Sequence, residues 1–241
     1  MAVPTFIDKG PVSAEQRNSR PNINFTIPTT TRPKDLLLLV CQSADEVIDI
    51  PTGWSEIGDQ NIQSRSTPLA TRLGVFYKFA DSADTGGTVT IATNPDHTMG
   101  QVLVFRYVDR LGFASTENYS SSSGVTTSLG SVLNMLSVNS TVKPKRTDCL
   151  VLTMAAIARD FNSSDNFSTN AVNPNLTSIT EITDQTSNVG LGGGIVVWSG
   201  VNKSLATVGF TTAVYDGSTL TQPYGSLVLN LRPTRNLTSF S

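Results

Sequence analysis

Charge is scarce in this 241-residue chain: 17 Lys and Arg stand against 19 Asp and Glu, 15% of the residues together, with a net charge of -2. No broad basic field exists to hold nucleic acid or an anionic membrane, so neither is expected as a partner, although local patches stay open. Histidine is scarcer still, with His97 alone, and cysteine is limited to Cys41 and Cys149. One imidazole and two thiols distant in sequence do not supply the four closely spaced ligands of a structural zinc site, and no metal or cofactor is expected. No apolar run approaches the ~18 residues of a membrane span, and residues 1–9 lack the basic-then-apolar order of a signal peptide. Synthesis and folding in a cytoplasm are expected. Buried reduced thiols are favoured there, a disulfide being open only if the strands carrying the two cysteines are neighbours.

Catalytic signatures are missing as well. No Gly-x-Ser-x-Gly elbow singles out a serine for His97 and Asp96, which read as parts of a turn. The loop carboxylates, among them Asp45, Asp49 and Asp84, lack the regular spacing of a calcium loop, and nothing selects a pair for glycoside hydrolysis. The glycines at 190 and 192–194 lead into a strand pattern, without the helix N-terminus that a phosphate loop needs. The Asn-x-Ser/Thr triplets are what a chain rich in these residues contains by chance. The chain is expected not to be an enzyme.

What the chain has is strand. Hydrophobic residues make up 38% of it, enough for a real core, and its polar content is Ser, Thr and Asn, which disfavours helix and suits strands joined by side-chain-bonded turns. Leu36-Leu37-Leu38-Leu39-Val40, introduced by Arg32-Pro33-Lys34-Asp35, reads as a central strand buried on both faces. Ile23 to Ile27 alternates at period two. In residues 72–79, Leu73, Val75, Tyr77 and Phe79 share a face expected to be core, with Arg72, Gly74, Phe76 and Lys78 opposite.

The order then recurs. The basic corner Lys143-Pro144-Lys145-Arg146 and Asp148 precede Cys149-Leu150-Val151-Leu152, and later segments follow at similar separations: 148 − 35 = 113, 194 − 74 = 120, 225 − 100 = 125. The expected fold is all-β, a jelly-roll-like antiparallel β-sandwich built from two internally repeated halves, residues 21–112 and 131–233. A single sandwich with regularly spaced strands and two lobes split near Ser120 are the alternatives. Residues 113–130, rich in Ser, Thr and Gly, read as a bridge. Residues 1–20 read as an extended N-terminal arm, or equally as a frayed terminus, and residues 234–241 as a C-terminal tail.

At Pro51-Thr52-Gly53-Trp54, residues 72–80, Asp96-His97-Thr98-Met99-Gly100 and Val102-Leu103-Val104-Phe105-Arg106, the chain resembles small virion structural proteins of tailed bacteriophages. Pro4-Thr5-Phe6-Ile7 and Lys34-Asp35-Leu36-Leu37-Leu38 are similar too. The resemblance covers most of residues 1–110 and, more loosely, 147–232. One departure is Tyr107-Val108 after Arg106, where a glycine is usual.

The resemblance implies a structural role in the virion, most directly a capsid cement or decoration protein, made in the host bacterial cytoplasm. Its expected partners are the major capsid protein or other virion proteins, and a homo-oligomer is expected. Candidate interface residues lie in the two arms: Val3, Pro4, Phe6, Ile7, Leu237 and Phe240. The alternative is a tail or fibre module binding a host-surface glycan by stacking on Trp54, Tyr107 and Tyr215.

Overall fold

The computed structural model describes residues 2–16, 22–44, 47–58, 62–66, 69–92, 97–111, 113, 115, 117–125, 127–128, 133–158, 171–187, 193–216 and 222–234. All regular structure among them is β-strand. The strands up to Arg106 are β1 (Thr5–Lys9), β2 (Ser13–Gln16), β3 (Asn22–Thr26), β4 (Leu36–Ser43), β5 (Ser55–Glu56), β6 (Ile62–Ser66), β7 (Leu69–Phe79), β8 (Thr88–Ala92) and β9 (His97–Arg106). After it come β10 (Tyr119–Val125), β11 (Thr127–Ser128), β12 (Leu133–Val138), β13 (Cys149–Ile157), β14 (Thr177–Ser187), β15 (Gly193–Asn202), β16 (Thr211–Asp216) and β17 (Pro223–Leu231).

Every pairing is antiparallel. One large sheet has the order β1-β9-β4-β7-β5, with β2 continuing β1 along β9 and β6 beside β7. The other has the order β10-β17-β13-β15-β14. Two small sheets are formed besides these among the described residues, β3-β8 and β11-β12-β16.

The layers follow from the alternation of side chains on the central strands. Leu36, Leu38 and Val40 of β4 meet Leu150, Leu152 and Met154 of β13 in one core, so the two large sheets pack face to face. Leu37, Leu39 and Cys41 point the other way and are covered by Ile23 and Phe25 of β3 and Val89 and Ile91 of β8. Val151, Ala155 and Ile157 of β13 face a third core containing Val138 and Ala213 from β12 and β16. Four sheets are therefore stacked, small, large, large, small. Each buried Leu contributes roughly 1.5–3 kcal/mol of transfer free energy.

A polar seam crosses the central interface. Gln101, 3% exposed, donates to the Gly10 carbonyl (2.6 Å) and accepts from Thr183 Oγ1 (2.7 Å), while Lys9 Nζ donates to the Ile182 carbonyl (2.7 Å). These bonds tie β14 to the strands at the N-terminal edge and fix how the sheets sit on each other, because buried polar groups must find partners.

Three expectations are corrected. Residues 5–9 and 13–16 form no extended arm: they are the edge strand of the first sheet, where pairing satisfies the open N–H and C=O groups of β9. Phe6, in register with Phe105, meets it in the central core (ring centroids 5.7 Å), and alternation turns Ile7 to the outer one. The Ser-rich bridge contains strand β10, which closes the edge of β17 and pairs the hydroxyls of Ser122 and Ser226 (2.9 Å). The second face of β7 is also core, since Phe76 is fully buried in the outer cluster beside Ile48.

The cysteines face separate surroundings and are free thiols. Cys41 lies in the outer core of the first half, and Cys149 Sγ donates to the Arg146 carbonyl (3.2 Å). Burial pushes both thiols above the usual cysteine range, the leading cause in each being desolvation of the thiolate. The native chain is therefore expected to leave a disulfide reagent unreacted near pH 8 and to release two thiols on unfolding. A thiol titration with and without denaturant checks this, and rapid reaction of the native chain would contradict the burial.

Candidate functional site

The loops before β4 and β13 and after β9, β15 and β17 meet at one end of the stack. Antiparallel pairing places them there: Leu36 faces both Phe79 and Phe105, and Leu150 faces both Val201 and Leu231. The two ends coincide because the chain crosses between them, with Val108 bridged to Pro233, Asp109 N donating to the Arg232 carbonyl (2.8 Å) and Thr234 N to the Tyr107 carbonyl (3.0 Å).

Asp35 organises the first corner. Only 3% exposed, it accepts Arg106 Nε on Oδ1 (2.8 Å) and Arg106 NH2 on Oδ2 (2.7 Å), and Oδ2 also takes the backbone N–H of Arg32 (2.8 Å). The paired carboxylate holds the Arg106 guanidinium above its ordinary pKa. Lys34 is left-handed at φ 77°, with its N–H on the Ala80 carbonyl (2.8 Å). Tyr107 is left-handed too, at φ 65°, a conformation that glycine adopts without cost.

The linking segment is anchored. Phe113 packs against Tyr77 (4.9 Å between centroids) and Phe79 (5.5 Å), Arg110 lies over the Phe79 ring (4.8 Å), and Arg232 NH2 donates to the Leu111 carbonyl (2.9 Å). Three clefts open around it. One of about 540 Å³ is lined by Arg32, Lys34, Tyr107, Arg110 and Leu111 among others. One of about 510 Å³ includes Tyr119, Lys143 and Leu205, and one of about 700 Å³ includes Val3, Arg146, Leu205 and Pro233.

Cations outnumber acids among the described residues at this end: Arg32, Lys34, Lys78, Arg106, Arg110, Lys143, Lys145, Arg146, Lys203 and Arg232 stand against Asp8, Asp35, Asp81, Asp84, Asp109, Glu117 and Asp148. Several cations here are already paired: Lys78 with Asp84 (2.7 Å), Lys145 with Glu117, whose carboxyl that hydrogen bond holds below its usual range, and Arg146 with Asp109 (3.9 Å). Arg32, Lys34, Lys143 and Lys203 are exposed and make no side-chain hydrogen bond or ion pair among the described residues. Exposed apolar side chains stand between them, with Leu111 at 69%, Tyr107 at 49% and Leu205 at 51% exposure.

The residues singled out from sequence are dispersed. Val3 lines the 700 Å³ cleft and Pro4 beside it is buried, whereas Phe6 and Ile7 belong to β1 and pack inward, so they are not free to act as a tether. Leu237 and Phe240 lie outside the described residues. Tyr107 borders the 540 Å³ cleft. Trp54 is half-buried in a groove of about 300 Å³ with Thr52, Lys78, Asp84, Thr88 and Thr90, and packs against the core under the first small sheet. Tyr215 is in β16 opposite Asn134, and its side chain lies outside the description. His97 is fully buried at the start of β9. Sequence reasoning did not select Arg32, Lys34, Arg110, Leu111 or Leu205 as site residues. The two basic, proline-bearing corners were the available signal.

Removing one partner of the buried pair strands the other. Arg106→Ala is expected to lower unfolding stability by about 2 kcal/mol, between the values for exposed and buried pairs, whereas Lys145→Ala at the exposed pair changes the denaturation midpoint little. Tyr107→Gly is expected to keep stability or raise it by up to about 1 kcal/mol, as left-handed strain is relieved in an exposed residue. Denaturant unfolding of the three variants measures both effects, and a loss at Tyr107→Gly would show that its side chain carries packing.

No protein-family model, curated protein or solved structure matches this chain.

Proposed function

We propose that the chain is a non-enzymatic structural protein of a tailed-bacteriophage virion, most directly a capsid cement or decoration protein that bridges capsomers. The observation that carries the reading is the corner end: a surface of exposed cations and apolar side chains, mounted on a stack of sheets and braced by the Asp35–Arg106 pair. A protein that locks a lattice needs a stiff body and a contact surface rather than a reaction centre. The major capsid protein is the proposed partner, and a homo-oligomer on the shell the proposed arrangement.

Duplication of a half-sandwich belongs to the same reading. Its support is positional: Leu36 and Leu150 occupy equivalent register positions, and the residues two steps before them, Lys34 and Asp148, are both left-handed. This alignment puts Cys149, not Asp148, in the place of Asp35, one residue from the sequence-based match. The large sheets share their strand order, and each small sheet pairs the strand before the corner with the strand before the last. A first strand beside the last, and the last beside the strand after the corner, is also the arrangement expected of a jelly-roll-like half.

The groove at Trp54 favours a second reading, a tail or fibre module binding host-surface glycan. An indole beside threonine hydroxyls and the Lys78–Asp84 pair offers a stacking face with polar groups around it.

Co-sedimentation of the purified chain with phage heads lacking it tests the first reading. Saturable binding at a fixed ratio to the capsid protein is expected, and absence of binding would remove it. In parallel, titration with cell-envelope polysaccharide while recording tryptophan fluorescence tests the second; a signal unchanged in Trp54→Ala would remove the groove.

A further inference from the structure

Resting on the reading of the corner end as a contact surface, we infer that the 540 Å³ cleft between Arg32, Lys34, Tyr107, Arg110 and Leu111 receives an acidic, apolar-bearing segment of a partner protein. Three features converge on that chemistry. Among the described residues Arg32 and Lys34 are exposed without an ion pair, and Arg110 is held over the Phe79 ring with no ion pair either. Their charge is thus available at the rim, where complementarity sets register and encounter rate. Leu111 and Tyr107 expose apolar surface in the same cleft, which a purely ionic ligand would leave wet.

The floor is also built. Arg106 is engaged by Asp35, Tyr107 is pinned through Thr234 N, and Leu111 is pinned through Arg232, so the cleft is formed before a ligand arrives. Such preorganisation lowers the ordering cost of docking.

Nucleic acid fits less well. Evenly spaced phosphates crossing the cleft would leave the apolar surface of Leu111 and Tyr107 unmatched. A protein segment sets its carboxylates singly and can place an apolar side chain between them.

The test uses the full chain and a labelled peptide of alternating Glu and Phe, read by fluorescence anisotropy, with a Lys/Phe peptide and oligothymidylate in parallel. Binding of the Glu/Phe peptide alone is expected, weakening as salt is raised from about 0.05 to about 0.3 M. The double variant Arg32→Glu/Lys34→Glu is expected to weaken it by about tenfold, and Leu111→Ser by several-fold, with thermal melts confirming that both variants fold. No binding of the Glu/Phe peptide, undiminished binding by the double variant, or equal binding of oligothymidylate would each overturn the inference. Repeating the head co-sedimentation with the double variant separates the two ideas. Heads bound equally by wild type and variant sink the acidic-segment inference and leave the cement reading standing; heads bound by neither, with peptide binding intact, sink the cement reading alone.

Discussion

The structure depends on the double-sided burial of two strands. β4 and β13 are apolar at successive positions, so each presents hydrophobic side chains on both faces of its sheet, and one packed partner is not enough. Each large sheet must be covered twice. The economical solution is to pack the large sheets on each other and place a small sheet outside each, which is the four-layer stack. The small sheets need only alternate, as Ile23 and Phe25 do between exposed polar neighbours.

Stacking in this way leaves the strand ends as the places where the surface varies. At the corner end two turn segments that are far apart in sequence become neighbours, and the chain between the halves is stretched across them. The left-handed residues there are polar or exposed and carry little of the core. The rigidity of the end comes from the carboxylate of Asp35, which satisfies Arg106 and a backbone N–H in the same turn. At the corner before β13, Cys149 Sγ donates to the Arg146 carbonyl, and Arg232 reaches Leu111 in the linking segment. Asp35 thus braces a turn, and Arg232 braces the crossing.

Strand identity was legible because period-two alternation and unbroken apolar runs are local properties, and β3, β4, β13 and β17 follow them closely. The edge strands were not. Residues 13–16 and the serines of β10 have weak intrinsic strand preference, and they are strands because β9 and β17 offer open hydrogen-bonding edges. Trp54 and Tyr107 were visible as aromatics, but the groove at one and the left-handed backbone at the other arise from contacts with distant segments. The cationic end was legible only as two separate basic corners.

By itself the sequence determined the all-β class, the two central strands and the corners that introduce them, because each follows from side-chain periodicity and turn chemistry within a few residues. Only the tertiary structure decided that residues 5–16 and 119–125 close sheet edges, that the large sheets face each other, and that the corners of both halves share one end. These outcomes depend on which unsatisfied edge and which uncovered apolar face meet in space, and such pairings join residues far apart in the chain, as Ser122 and Ser226 are.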